Sequence, residues 1–225
     1  MRGQRALITG GTGALGAAVT RSILARGTRV TVTYLDETER KALEDTLPSG
    51  AAIDFVNVDA TDEPAVQALV EKLGTLEILT HLIGGFAAGP TANFSLSAYR
   101  HQLDVNLTSA FVTCKAALSS MQRTGYGRIV CVGAHTAIEG GGGAVAYAAA
   151  KAGVIALTRA IAEETRNSDI TANSVVPTII DTPANRAAFP TADRSNWSTP
   201  ESIASIICFL GSKTAGHLRG AALPV

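Results

Sequence analysis

Charge is what this chain of 225 residues has least of, acidic and basic side chains together making up 17% of it. Lys plus Arg number 19 and Asp plus Glu 19, so no net charge remains to draw it to nucleic acid or to an anionic membrane. A small-molecule ligand is the partner this balance favours. Long hydrophobic runs are also missing. Every apolar run is broken by Gly, Pro or a charge well short of the ~20 residues that cross a bilayer. Met1 to Thr9 turns strand-like too early to leave room for a secretory signal, and a cytoplasmic location is expected. Cysteine is scarce as well. Cys114, Cys131 and Cys208 lie far apart, without CxxC or Cys/His spacing, among apolar neighbours. They are expected to be buried reduced thiols, and no metal site is expected.

Apolar residues, in contrast, make up 46% of the chain, enough for a sizeable core. No linker-like stretch divides it, so residues 1–225 are expected to form a single dinucleotide-binding catalytic domain. The runs Ala6–Thr9, Val30–Tyr34, Ile53–Val58, Ile78–Ile83, Ile129–Val132 and Thr171–Val176 read as strands. Their hydrophobicity is continuous rather than alternating, as in strands covered on both faces. Leu15, Val19 and Ile23 mark a helix ending near Gly27, and Val66, Leu69, Val70 and Leu73 another ending at Gly74, opened by Asp62, Glu63 and Pro64. Further helices are expected over Ala98–Met121, Val145–Arg166 and Pro200–Leu210, with Thr199 as the last one's cap, a loop over Gly140–Gly143 and a closing strand over Ala221–Val225. Strand and helix thus alternate. The pattern predicts an α/β fold of Rossmann type, a doubly wound, mostly parallel sheet with helices on both faces.

Gly11-Thr-Gly-Ala-Leu-Gly16 is a GxGxxG placed between the first strand and the first helix. Glycines there let the chain turn tightly and let backbone approach a pyrophosphate at the positive end of the helix. Asp36 lies 20 residues past Gly16, beyond the second strand. It reads either as an acceptor for the adenosine ribose hydroxyls or as a solvated turn residue.

With Tyr147-Ala-Ala-Ala-Lys151 added, the chain resembles the short-chain dehydrogenase/reductase family over nearly its whole length. Thr9-Gly-Gly-Thr-Gly-Ala-Leu-Gly16 is similar to the family's phosphate turn, which implies that Thr9, Gly10, Thr12, Gly13, Leu15 and Gly16 hold the cofactor. Asp59-Ala60 resembles its adenine-contacting pair, Gly84 the end of its NNAG, Asn106-Leu107 its helix-borne Asn, and Pro177 and Thr182 the ends of its PGxxxT segment beside the nicotinamide. There are departures. Ala14 replaces the usual middle glycine, His81-Leu-Ile-Gly84 replaces NNAG, and Ala134, 13 residues before Tyr147, stands where the family carries its carbonyl-polarising Ser. Gly84-Gly85-Phe86 with Gly133-Ala134 is similar to the dihydropteridine reductases, a subgroup that also manages without that Ser.

Residues four apart on a helix share a face, so Tyr147 and Lys151 can point into one cleft. An ammonium beside a phenol of pKa ~10 is expected to favour the phenolate and bring it toward neutral pH. The resemblance then implies an NAD(P)-dependent oxidoreductase acting on a small carbonyl or imine compound. In it Tyr147 is the acid/base, Lys151 holds the nicotinamide ribose, and Asn106 holds a water that links Lys151 to solvent. His135 and Thr136 are candidates to turn inward in place of the missing Ser. NAD is favoured over NADP because Gly13 and Leu35 stand where NADP users often carry a cation, and because Asp36 would repel a 2′-phosphate. The short segment from Pro183 to Trp197 implies a small substrate or an open site, with Arg186 and Arg194 either solvated or facing an acidic group. The family's usual assembly through the helices over 110–121 and 145–162 implies a homodimer or homotetramer. The rival reading is a non-catalytic dinucleotide-binding protein, a redox sensor or scaffold, that has lost activity with its Ser.

Overall fold

The computed structural model describes residues 1–225. Seven strands form one sheet in the order β3-β2-β1-β4-β5-β6-β7, and all six neighbouring pairs are parallel. They are β1 (Arg5–Thr9), β2 (Arg29–Tyr34), β3 (Ile53–Asn57), β4 (Ile78–His81), β5 (Tyr126–Val132), β6 (Asp169–Val176) and β7 (Ala222–Pro224). The seven-strand sheet flanked by helices is the Rossmann-type arrangement the sequence predicts. Each expected strand appears within a few residues of its predicted bounds.

Continuous apolar strands follow from the two-sided core. Leu7, Leu79 and Ile129 enter one cluster, whereas their chain neighbours Ile8, Ile78 and Val130 enter the other. The first cluster lies under α3 (Glu63–Leu73), α5 (Ser109–Thr124) and α7 (Val145–Glu164), and the second under α1 (Ala14–Leu24) and α9 (Pro200–Leu210). Alternate side chains of a strand point to opposite faces, so a sheet buried on both sides favours apolar residues at successive positions, with small polar residues such as Thr31, Thr80 and Ser174 among them.

The helix ends obey local chemistry. Asp62 accepts from the Ala65 amide (3.1 Å) with Pro64 in the first turn of α3, and Gly74 closes it at φ +72°. Thr199 accepts from the Ser202 amide (3.2 Å) and opens α9 ahead of Pro200. α7 is long and apolar enough to cross a membrane, but 44% of that stretch is buried inside the fold, as befits a core helix.

Between β2 and β3 runs α2 (Glu37–Glu44), which buries only Leu43 and so left little periodic signal. The single helix expected over Ala98–Met121 is instead α4 (Leu96–Leu103) joined to α5 through a wide π-helical turn, Asp104–Thr108. The extra residue rotates the faces on its two sides by about 100° relative to each other, and residue propensity alone does not locate it. Two short helices, α6 (Thr136–Glu139) and α8 (Pro183–Ala188), lie in segments where no helix was expected.

Candidate active site

The strand order reverses at β1 and β4, and the crevice beyond their carboxyl ends is where open α/β sheets take ligands. The glycine turn sits there. Gly10 has φ +70°, and a Cβ on it would lie 2.9 Å from Ile83 Cγ1. A Cβ on Gly16 would lie 2.2 Å from the Gly10 carbonyl oxygen, so both positions demand glycine. Gly13 is different. Its φ is −63° and nothing approaches its Cβ position closer than 3.9 Å, so the space over it stays open at the amino end of α1. No side chain caps that helix, which leaves its first amides free for an anion. This cradle suits the diphosphate of a dinucleotide. Leu15 turns its side chain into the core and offers the cradle only its backbone.

A cleft extends from the cradle across Gly10, Thr12 and Gly13 to Asp36 on one side and to Ile83 and Gly84 on the other. Asp36 caps α2, its Oδ1 accepting from the amides of Thr38 (2.7 Å) and Glu39 (3.2 Å). Those bonds hold its carboxyl below the usual carboxylate range. Asp36 thus lines the cleft while serving as a helix cap. The Thr12 hydroxyl donates to Glu39 Oε2 at 3.1 Å, bringing into the cleft an acidic residue that the sequence pattern did not single out. Asp59 folds back on Thr61, whose amide and hydroxyl both donate to Oδ1 at 2.8 Å, and Ala60 is buried. Neither joins the lining of this cleft, although Val58 does.

At Gly84 the cleft meets the catalytic candidates. A Cβ there would lie 2.8 Å from Asn106 Oδ1 and 2.9 Å from Lys151 Nζ, so only glycine lets the three pack together. Asn106, fully buried in the π-helical turn, donates through Nδ2 to the Gly85 and Gln102 carbonyls (2.9 Å each) and accepts the Gly85 amide at 3.2 Å. Lys151 is 4% exposed and donates to the Val132 carbonyl at 2.9 Å. Burial lowers its pKa from 10.5 to about 8, partly opposed by Cys131. Tyr147 lies one turn earlier on α7, its ring centroid 5.8 Å from Lys151 Nζ and packed edge-on against Phe86 at 5.1 Å.

Here a sequence expectation fails. The Tyr147 pKa is raised, not lowered, because burial disfavours the phenolate while the Lys151 ammonium is held by the Val132 carbonyl. His81 is likewise buried, with Nδ1 2.8 Å from the Thr9 hydroxyl and Nε2 3.3 Å from that of Ser109. Burial, and secondarily the Lys151 charge, bring its pKa down to about 3. Its role in tying β1 to the start of α5 was missed in the sequence, which shows His81 only as a departure from NNAG.

Ala134 is buried just past β5. Of its two neighbours, His135 pairs with Glu139 across α6 at 3.4 Å, while the Thr136 hydroxyl is buried without a partner. Pro177 accepts the His135 amide through its carbonyl (3.0 Å), and Thr182 caps α8 by accepting from the Asn185 amide (3.2 Å). Arg186 is paired with Asp181 at 2.5 Å, and Arg194 lies over the Trp197 ring at 5.6 Å. Cys114 and Cys131 meet in the core as free thiols, their sulfurs hydrogen-bonded at 3.7 Å.

The comparisons agree with this geometry. Residues 4–193 match the profile of the short chain dehydrogenase family. The chain is 33% identical over 227 residues to the 3-oxoacyl-[acyl-carrier-protein] reductase MabA of Mycobacterium tuberculosis (strain ATCC 25618 / H37Rv), covering 97% of this chain and 90% of the relative. It is 29% identical to the reductase FabG of Escherichia coli (strain K12), covering 99% and 96%. Among solved structures, levodione reductase superposes with a TM-score of 0.91 at 25% identity, covering 100% and 96%. The similar relatives are therefore reductases of 3-oxoacyl groups rather than dihydropteridine reductases, and the likeness carried by Gly84-Gly85-Phe86 and Ala134 is local. A cradle for diphosphate, a Tyr/Lys pair one helical turn apart and this family match lead to one conclusion: the chain belongs to the short-chain dehydrogenase/reductase family of NAD(P)-dependent oxidoreductases.

Proposed function

We propose that this chain reduces a small carbonyl or imine compound with NAD as its dinucleotide, Tyr147 acting as the proton donor. The supporting observation is the continuity of the cleft, which runs from the Gly13 cradle to Gly84, against which Lys151 and Asn106 pack. Thr9, Gly10, Thr12, Gly13, Leu15 and Gly16 would hold the diphosphate end and its turn, and Gly84, Pro177 and Thr182 the nicotinamide end. When bound, the dinucleotide supplies the hydride.

The chain's own residues handle the proton. Burial keeps Tyr147 as the neutral phenol at pH 7, the form that can donate to an oxygen or nitrogen gaining charge. Lys151 is mostly cationic at pH 7, and its positive charge stabilises the phenolate left behind. Asn106 clamps the Gly85 backbone and so fixes the floor between Lys151 and the cleft. Reduction is therefore the direction the resting protonation states favour.

A 3-oxoacyl group, the substrate in the names of the curated relatives, is a ketone and falls within this class. The absence of a hydroxyl at Ala134 favours an easily reduced substrate, since losing one such donor costs about 3 kcal/mol of transition-state stabilisation. NAD is favoured because no cation lines the cleft near Asp36. We further infer a cytoplasmic homodimer or homotetramer joined through α5 and α7.

Tyr147→Phe is the test. The expected result is a loss of turnover of at least about a hundredfold, with dinucleotide binding measured by calorimetry unchanged. Turnover that survives the substitution would remove Tyr147 from the mechanism. Tight dinucleotide binding with no substrate reduced in a broad ketone and imine screen would point to the sensor instead.

A further inference from the structure

Exposed large apolar side chains gather in three segments of this chain. Phe86 and Leu96 follow β4, Ile138 and Val145 follow β5, and Ile179 and Phe189 follow β6. Backbone bonds join these segments beyond the carboxyl ends of their strands. The Gly89 amide donates to the Gly143 carbonyl at 2.8 Å, and the His135 amide to the Pro177 carbonyl at 3.0 Å. Phe86 connects this apolar rim to the acid/base. Two residues past Gly84, it is 57% exposed while the edge-on contact of its ring with Tyr147 is made at 5.1 Å.

Charge around this rim is already engaged. From Leu82 to Leu96 there is no ionic side chain. After β5 the only two are His135 and Glu139, which pair with each other. After β6, Arg186 meets both oxygens of Asp181 at 2.5 and 2.7 Å, Asp193 accepts the Ser195 amide and hydroxyl at 2.9 Å each, and Arg194 stacks on Trp197. The two arginines of that segment are therefore committed within it and do not await an acidic group.

We propose that the substrate of this site is an uncharged ketone bearing an aryl or similarly sized apolar substituent, and that Phe86 is the residue that selects it. This rests on the reductase reading above and assigns its substrate class. The Phe86 ring is fixed on one side by Tyr147 and open on the other, so an apolar substituent laid on it leaves water beside the phenol that donates the proton. A carboxylate brought to the same rim loses its water and meets no unengaged cation, which costs more than the ring contact returns. A short aliphatic ketone is admitted, but it leaves the Phe86 surface uncovered.

Three probes assayed on the intact protein with NADH and with NADPH separate charge from apolar area. They are ethyl benzoylformate, benzoylformate, which is the same aryl ketone as an anion, and ethyl pyruvate, which has methyl in place of phenyl. KM is the quantity compared, because the differing electrophilicity of the three ketones acts chiefly on kcat. The KM of ethyl benzoylformate is expected at least about tenfold below that of ethyl pyruvate and at least about a hundredfold below that of benzoylformate. Phe86→Ala is expected to raise the KM of ethyl benzoylformate at least about fivefold and that of ethyl pyruvate less, with Phe86→Leu restoring part of the difference. A parent whose lowest KM is for benzoylformate or ethyl pyruvate overturns the substrate class and leaves the reductase reading standing. A KM ratio unmoved by Phe86→Ala, or an equal fall in kcat for both esters, overturns the assignment of Phe86 alone. A folded parent that reduces none of the three overturns the substrate class and the reductase reading together.

Discussion

Tyr147 and Lys151 show how a side chain's surroundings can reverse the effect of its nearest charge. The Lys151 ammonium is one helical turn from the phenol, but it is bonded to the Val132 carbonyl, and desolvation dominates at Tyr147. Lys151 is itself destabilised as a cation, its pKa being about 8 in the fold against 10.5 for an ordinary lysine. The unfolded chain therefore binds this proton more tightly. Stability at this site is lowest below pH 8 and recovers as pH rises from 8 toward 10.5, by about 3 kcal/mol in all. Lys151→Met removes the buried charge, so it is expected to raise Tm at pH 7 and flatten the alkaline rise while abolishing turnover. Thermal unfolding at pH 7 and pH 10 checks this. A variant that melts earlier than the parent at pH 7 would mean that the charge is solvated in solution.

Among the elements, the π-helical turn Asp104–Thr108 is the one that builds the site. It presents Asn106 to the Gly85 backbone and directs Ser109 toward His81. Ser109 donates to the Val105 carbonyl at 2.6 Å and so accepts from His81 Nε2, which leaves Nδ1 to accept from Thr9. That neutral tautomer has both nitrogens satisfied and ties β1 to β4 and α5 inside the fold. Because the folded pKa is about 3 against 6.5 for an ordinary histidine, the unfolded state takes up the proton first. The contribution to stability is complete above pH 6.5 and falls by about 1.4 kcal/mol per pH unit below it. Replacing His81 with Asn, which does not titrate here, should flatten the denaturation midpoint between pH 6 and pH 4. An unchanged acid limb would place the acid sensitivity in the carboxylates.

For the whole molecule, the open face between α5 and α7 bears on assembly. Phe111 is 49% exposed there and lines an apolar groove with Leu118, Leu157 and Ala160. An exposed aromatic lining such a groove suits a helix-to-helix interface between copies. Phe111→Glu is expected to convert the proposed dimer or tetramer to monomer in sedimentation velocity, with the far-UV spectrum unchanged. A parent that sediments as a monomer would refute the interface.

Sequence by itself determined the sheet, because strands buried on both faces are mostly apolar at successive positions and that bias is written along the chain. It also determined the glycine turn and the Tyr147/Lys151 face, since a turn of four residues is a local rule. The caps at Asp62 and Thr199 were legible for the same reason. Tertiary structure alone decided which carboxylate meets Thr12, what satisfies His81, and that Gly84 packs between Asn106 and Lys151. Those pairings join residues tens of positions apart, and spacing carries no information about contacts made across a fold. Burial decided the protonation of Tyr147 as well, because desolvation depends on everything packed around a group rather than on its neighbours in sequence.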